Sequence, residues 1–221
     1  MNKNSDLKNN DTLIIEMNRT SIETQKGNVY IQSTRNPKVF KDLTFPFETC
    51  HSTAYRLTHC TKQSLQRIIE KGGRVALALL EHKIIVGFAV LDFPDKNERW
   101  ILSDPKMVME LKAVEVLREF RNHGIARQLL TRLFSEDFVE EKIIYLTAYS
   151  WTWDLAHPGF TVLSYRDMLV SLYTPSGFLE FQTNEPNICL KPENMFMVRM
   201  GKKIPQKIQD EFKLLRFGIL A

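Results

Sequence analysis

The sequence predicts an α/β (α+β) domain built on a single mixed, mostly antiparallel sheet with a parallel central strand pair, flanked by helices. Three observations lead there. Residues 110–117 carry the apolar content of a buried strand (Leu111, Ala113, Val114, Val116, Leu117), and after Gly124 the residues Ile125, Leu129, Leu130 and Leu133 recur at helical spacing. A second apolar run, 143–149, follows that helix, which makes a βαβ unit whose two strands run parallel. Upstream, the apolar runs 74–80 and 84–93 are joined by Glu81, His82 and Lys83, the pattern of an antiparallel hairpin.

The remaining elements follow in chain order. Residues 1–11 are rich in Asn, Lys, Ser and Asp and are expected to form a disordered arm, leaving 12–221 as one domain. Two short apolar stretches, 13–15 and 29–31, straddle Lys26, Gly27 and Asn28, a hairpin-like start. In 61–71 Leu65, Ile68 and Ile69 share a helical face that ends at Gly72 and Gly73. Residues 92–104 form a polar loop anchored by Trp100. A helix is expected over 124–138 and another over 165–173, strands over 177–182 and 195–200, and a closing amphipathic helix over 205–217 with Ile208, Phe212 and Leu215 on one face.

Composition narrows the function classes. The chain has 221 residues, 43% hydrophobic and 25% charged, with a net charge of +4, ordinary values for a globular domain. No dense Lys/Arg run points to nucleic acid, and no apolar run has the length of a membrane span. The N-terminus has no secretory pattern, and three cysteines do not make a disulfide framework, so a cytoplasmic location is expected. Cys50, His51, His59 and Cys60 stand out, but their spacing does not suit a tetrahedral ion, and no metal is expected.

The chemistry concentrates between the strand and the helix. Arg121, Asn122, His123, Gly124, Ile125 and Ala126 form an Arg-x-x-Gly-x-Ala turn at a helix N-terminus. Such an end presents unpaired N–H groups carrying roughly half a positive charge. Gly124 and Ala126 let the backbone approach a bulky anion, and Arg118, Arg121 and Arg127 add fixed charge suited to phosphate oxygens. A pyrophosphate fits this turn.

The segment Val116-Leu-Arg-Glu-Phe-Arg-Asn-His-Gly-Ile-Ala resembles the acetyl-CoA motif of the GNAT acetyltransferases, and Leu172-Tyr-Thr-Pro-Ser-Gly-Phe178 resembles the Leu-Tyr-x-x-x-Gly-Phe at the end of that superfamily's fourth helix. From Asp92 onward the resemblance is to the acetoin-utilisation acetyltransferases, carried by Glu98-Arg-Trp100, Trp151-Thr-Trp-Asp-Leu155, Val198-Arg-Met-Gly-Lys-Lys-Ile204 and Leu214-Leu-Arg-Phe217. It implies the GNAT fold, acetyl-CoA as co-substrate, and a protein substrate, acetyl-CoA synthetase, inactivated by acetylation of a lysine. A small-molecule amine as acceptor and a non-catalytic CoA sensor remain as alternatives.

Acyl transfer to an amine sets four requirements. Pantetheine needs unpaired backbone groups, sought on 114–116 and 145–149 and exposed by a bulge near Glu115. The diphosphate needs the 121–127 turn. The thioester oxygen needs an N–H, from Val116 or Leu117. The ammonium of the acceptor must lose its proton, since a lysine with a pKa near 10.4 is almost fully charged at neutral pH. Glu110 matches the position of the family's general-base glutamate; counting by twos places it on one strand face with Lys112, Val114 and Val116, and Glu115, on the other, is the second candidate. Tyr173 resembles the tyrosine that protonates the departing thiolate. His123 is read as a turn residue or phosphate contact. Trp151, Trp153 and Asp154 are expected on the acceptor side, an aromatic wall with one carboxylate for a lysine stem and head.

Overall fold

A computed structural model describes residues 20–48, 61–95, 98–156 and 159–219. The expected arm at 1–11, the stretch 13–15 and the pairs Cys50–His51 and His59–Cys60 lie outside the described residues. Eight strands form one sheet in the order β1-β2-β3-β4-β5-β6-β8-β7. They are β1 (Thr20–Thr24), β2 (Gly27–Thr34), β3 (Arg74–Leu80), β4 (Ile84–Asp92), β5 (Val108–Val116), β6 (Ile143–Ala148), β7 (Leu179–Glu180) and β8 (Met195–Met200). Every neighbouring pair is antiparallel except β5 and β6. The helices are α1 (Lys62–Glu70), α2 (Ile125–Phe134), α3 (Val162–Tyr173), α4 (Pro186–Cys189) and α5 (Gln206–Leu215).

Local chemistry sets these elements. Thr61 caps α1, accepting from the Ser64 N–H while Ser64 reaches back to Thr61, and Leu65, Ile68 and Ile69 are buried beneath the helix. The β3–β4 hairpin turns through Glu81 and His82, both at positive φ, with the His82 ring stacked on Tyr30 at 3.7 Å. The expected helix over 124–138 is shorter, ending at Phe134, and a separate 3-10 turn occupies Asp137–Glu141. Of the expected strand 177–182 only Leu179–Glu180 is regular strand, and the Phe181 N–H extends the contact by donating to the Phe196 carbonyl of β8 at 3.0 Å.

The sheet buries a core on each face and a third at its far end. One face packs Leu111, Val116, Leu129, Leu130, Leu133, Leu146 and Phe178 between the sheet and α2. The other packs Phe40, Leu65, Ile68, Leu77, Phe88 and Val90 under α1. The third holds Trp100, Tyr145, Phe196 and Phe212 under α5, with the Trp100 ring stacked on Phe196 at 4.4 Å. Trp100 is the anchor of its loop, as the sequence suggested.

β5 is irregular at one point. Val90 pairs with Ala113 but Leu91 pairs with Leu111, so Lys112 is an extra residue bulged out of the ladder. The bulge lies at Lys112 rather than near Glu115. It also reverses the alternation. Leu111, Val114 and Val116 lie on the α2 face, while Glu110 and Glu115 stand opposite Asp92 and Phe88 on the other. Counting by twos had joined Glu110 to Val114 and Val116; the added residue breaks that count.

Gly87 of β4, opposite Val116 of β5, has no room for a side chain. A Cβ built on Gly87 would lie 2.9 Å from the Glu115 carbonyl and 3.3 Å from both Leu129 Cδ1 and Val116 Cγ2. Backbone on one side and packed side chains on the other leave nowhere for a methyl group. Gly87→Ala is expected to destabilise the fold by about 1–3 kcal/mol, the usual range for overpacking. Urea unfolding of the variant and the parent measures this, and a change below about 0.5 kcal/mol would contradict the close approach.

Candidate active site

The parallel pair is joined only at its base. Val108, Met109 and Glu110 pair with Ile143, Ile144 and Tyr145, and no rung follows, although both strands continue. β5 stays bound to β4 on its outer side, and β6 stays bound to β8. The strands therefore part beyond Glu110 and Tyr145. Antiparallel ladders alternate the side to which each residue turns its N–H and C=O. The Leu117 N–H donates to the Val86 carbonyl at 2.9 Å. It follows that Glu115 bonds toward β4, and that Val114 and Val116 turn their backbone groups into the gap. On β6 the same reasoning, from the Gly201 N–H bond to the Lys142 carbonyl, turns Thr147 toward β5. Of the two N–H groups proposed for a thioester oxygen, that of Leu117 is taken and that of Val116 faces the opening.

A cavity of about 1150 Å³ fills this gap, ample for a large ligand. It reaches both faces of the sheet, with Phe47 and Thr61 on the α1 side and Tyr165, Leu169 and Tyr173 on the other. The helix α3 explains itself here. It is apolar in composition, yet none of its residues is fully buried. Its apolar face is the wall of the cavity.

At one end lies the Arg-x-x-Gly-x-Ala turn. Gly124 caps α2 at φ +75°, a left-handed conformation in which an added Cβ would meet open space. The strain there favours glycine, and the space leaves room for a ligand. The first bond within this end of the helix runs from the Gln128 N–H to the Gly124 carbonyl, and no side chain caps the turn. Asn122 is also at positive φ, and His123 Nδ1 faces the Arg121 carbonyl at 2.8 Å. Asn122, Gly124, Ile125, Ala126 and Arg127 all line the cavity, whereas His123 is an exposed turn residue outside its lining.

The arginines of the turn have a partner. Arg118 donates from Nε to Asp154 Oδ2 at 2.8 Å and from Nη2 to Oδ1, and Arg121 donates from Nη1 to Oδ2 at 2.8 Å and from Nε to the Val116 carbonyl at 3.1 Å. Hydrogen bonds from Arg118 first, and then from Arg121, hold the Asp154 carboxyl down at about 2. Asp154, expected at the acceptor side, thus faces Arg118 and Arg121 at the Arg-x-x-Gly-x-Ala turn with both oxygens. Trp153 is buried and stacked on Tyr165 at 5.3 Å, a packed position. Trp151 is 52% exposed and stacked on Tyr149 at 4.7 Å, with Lys191 Nζ 5.0 Å above its ring.

At the closed end sits Glu110, the last paired residue. It is mostly buried and does not line the main cavity. Burial, then the charge of Glu98, pushes its carboxyl up to about 7, while Lys112 pulls it down. Lys112 Nζ lies 3.6 Å from Glu110, 3.8 Å from Asp92 and 3.4 Å from Asp95. The Tyr145 hydroxyl donates to Glu98 at 2.6 Å, and burial raises its pKa, with Glu110 adding to the shift. Glu115, the second candidate, borders the cavity itself. Tyr173 also lines the cavity; burial and then the charge of Glu115 raise its phenol, so it keeps its proton at neutral pH.

Asp92 was given no role from sequence, and Tyr145 was named only as the start of the pantetheine-facing run 145–149. Lys112 was in view only as a neighbour on the Glu110 face. Glu98 lay within a matched segment without a role. The Asp154–arginine contact joins positions more than thirty residues apart, which local pattern cannot show.

Comparison with known proteins agrees with this geometry. The family described as "Acetyltransferase (GNAT) family" matches residues 37–155. The chain is 32% identical over 197 residues to the acetoin utilization protein AcuA of Bacillus licheniformis, covering 89% of this chain and 92% of that protein. It is 30% identical over 198 residues to AcuA of Bacillus subtilis, with the same coverage of 89% and 92%. The fold is similar to the crystal structure of an acetoin utilization protein from Exiguobacterium sibiricum, with a TM-score of 0.80 at 28% identity, covering 90% of this chain and 93% of that one.

The ion cluster carries a signature in stability. The Asp154 carboxyl lies below its usual 3.8 in the folded protein, so its contribution is present above about pH 4 and lost as pH falls toward about 2. Arg118 is about half exposed, which screens part of the gain. Asp154→Asn should cost about 1–2 kcal/mol at pH 7 and progressively less below pH 4. Denaturant midpoints of the two proteins at pH 7 and pH 3 measure it, and an equal gap at both would show that the ionised carboxylate is not the source.

Proposed function

The chain belongs to the GNAT acetyltransferase family, an N-acetyltransferase related to AcuA, and from that premise we propose that it acetylates a protein lysine, with acetyl-CoA synthetase as the target suggested by the acetoin-utilisation relationship. The observation that carries this reading is the pair β5 and β6, joined at Glu110 and Tyr145 and open beyond. An open parallel pair offers backbone groups to pantetheine as an added strand would use them.

In this reading acetyl-CoA lies with its diphosphate on the N–H groups of Gly124, Ile125, Ala126 and Arg127 and its pantetheine beside Val114, Val116 and Thr147. The Val116 N–H faces the thioester oxygen, where a fixed donor is worth most in a dry slot. Glu110, with its carboxyl near 7, accepts the proton of the acceptor ammonium, directly or through water. The free amine attacks the carbonyl, the C–S bond breaks as Tyr173 gives the thiolate its proton, and the excess proton on the new amide nitrogen returns through water to the Tyr173 phenolate. A base near 7 is close to optimal at neutral pH, since half of it is already ionised. The cavity reaches both faces of the sheet, which favours a protein acceptor over a small amine, because the acceptor can approach from the face opposite the donor. Asp92, Asp95, Glu98 and Glu110 surround Lys112 near that end and favour a cationic acceptor.

Incubation with acetyl-CoA and purified acetyl-CoA synthetase should yield an acetylated lysine and lost synthetase activity; an unmodified synthetase would remove the proposed target. Glu110→Gln should lower kcat by about 100-fold and leave acetyl-CoA affinity within about threefold. The parent's kcat/KM should fall below a pH of about 7, and that limb should vanish in the variant. A variant that loses affinity and turnover equally, or keeps the acid limb, would assign the base elsewhere.

A further inference from the structure

Arg118 lies just past the end of β5, and Arg121 lies in the turn before α2. Asp154 lies past the end of β6, across the gap. Between Glu110 and these ends the two strands share no rung. The carboxylate is 8% exposed and accepts three hydrogen bonds from the two guanidiniums. We propose that Asp154 is a positioning residue, a strap across the open ends of β5 and β6 that holds Arg118 and Arg121 in place for the diphosphate of acetyl-CoA. The proposal rests on reading the cavity as the site of CoA, and it deepens that reading.

The physical argument has three steps. Two guanidiniums on neighbouring turns repel each other and would swing apart into water. One carboxylate between them offsets that repulsion and still leaves a net charge of one, so the turn keeps its attraction for an anion. Arg121 spends only Nε and Nη1 on Val116 and Asp154, two of its five N–H groups. The same contacts fix the separation of the strand ends, because Arg121 is bonded both to the last residue of β5 and to the segment beyond β6. Ordering the arginines before the ligand arrives lowers the entropy cost of binding.

The test compares ligands with and without the diphosphate. CoA binding is measured by calorimetry and pantetheine binding by NMR titration, for the parent, Asp154→Asn and Asp154→Glu. Asp154→Asn should weaken CoA by about 10- to 30-fold and leave pantetheine within about twofold, and Asp154→Glu should recover part of the loss. Equal losses for both ligands would make Asp154 a structural residue only. Unchanged CoA affinity, or tighter CoA binding through arginines freed from a competitor, would overturn the proposal while leaving the CoA site intact. A parent that binds no CoA at millimolar supply would fail the donor reading itself, and the strap with it.

Discussion

The structure turns on a pair of strands that begin together and then separate. Three rungs hold β5 to β6, from Val108 to Glu110. Beyond them each strand keeps its outer partner, so the sheet stays intact while its centre opens. Splitting a sheet is costly, because buried N–H and C=O groups lose their partners. Here the loss falls on alternate residues, Val114, Val116 and Thr147, whose neighbours remain bonded outward, and the Val116 carbonyl regains a partner in Arg121 Nε at 3.1 Å. In the proposed reading, a ligand with amides along a flexible chain would restore what the strands forgo.

Two devices keep the gap open. The bulge at Lys112 bends β5 after its last rung and turns Val114 and Val116 toward α2. Gly87, opposite Val116, leaves the space beside the Glu115 carbonyl that a side chain would crowd. At the far end the Asp154–arginine cluster spans the opening. The helix α3, apolar and without a fully buried residue, closes the side. A helix of that composition facing only water would be poorly placed; facing a ligand cavity, it is in its ordinary environment.

Charge is distributed along the gap by sign. The closed end gathers Asp92, Asp95, Glu98 and Glu110 around a single buried ammonium, that of Lys112. Burial with like charge lifts Glu110 toward neutrality, while two guanidiniums hold Asp154 ionised. Two carboxyls thus move in opposite directions at the two ends of the gap, Glu110 upward and Asp154 downward. The difference arises from partners and solvent, which disfavour the charged form of one carboxyl and favour that of the other.

The sequence by itself determined the central strands, the helix faces and the glycine turn before α2. Burial along β3, β4, β5 and β6, the face of α1 and the Gly124 turn are local patterns, legible because side-chain periodicity and the φ freedom of glycine act within a few residues. It also determined that β5 and β6 run parallel, since a short helix between two strands permits little else. Only the tertiary structure decided which way Glu110 and Glu115 point, because one bulged residue reverses every side chain after it and leaves no mark on composition. Only the fold decided that the Leu117 N–H is taken and that Asp154 meets Arg118 and Arg121. Those contacts join segments that the chain brings together through β6 and its neighbours, and a sequence records its residues in order, not the distances that folding gives them.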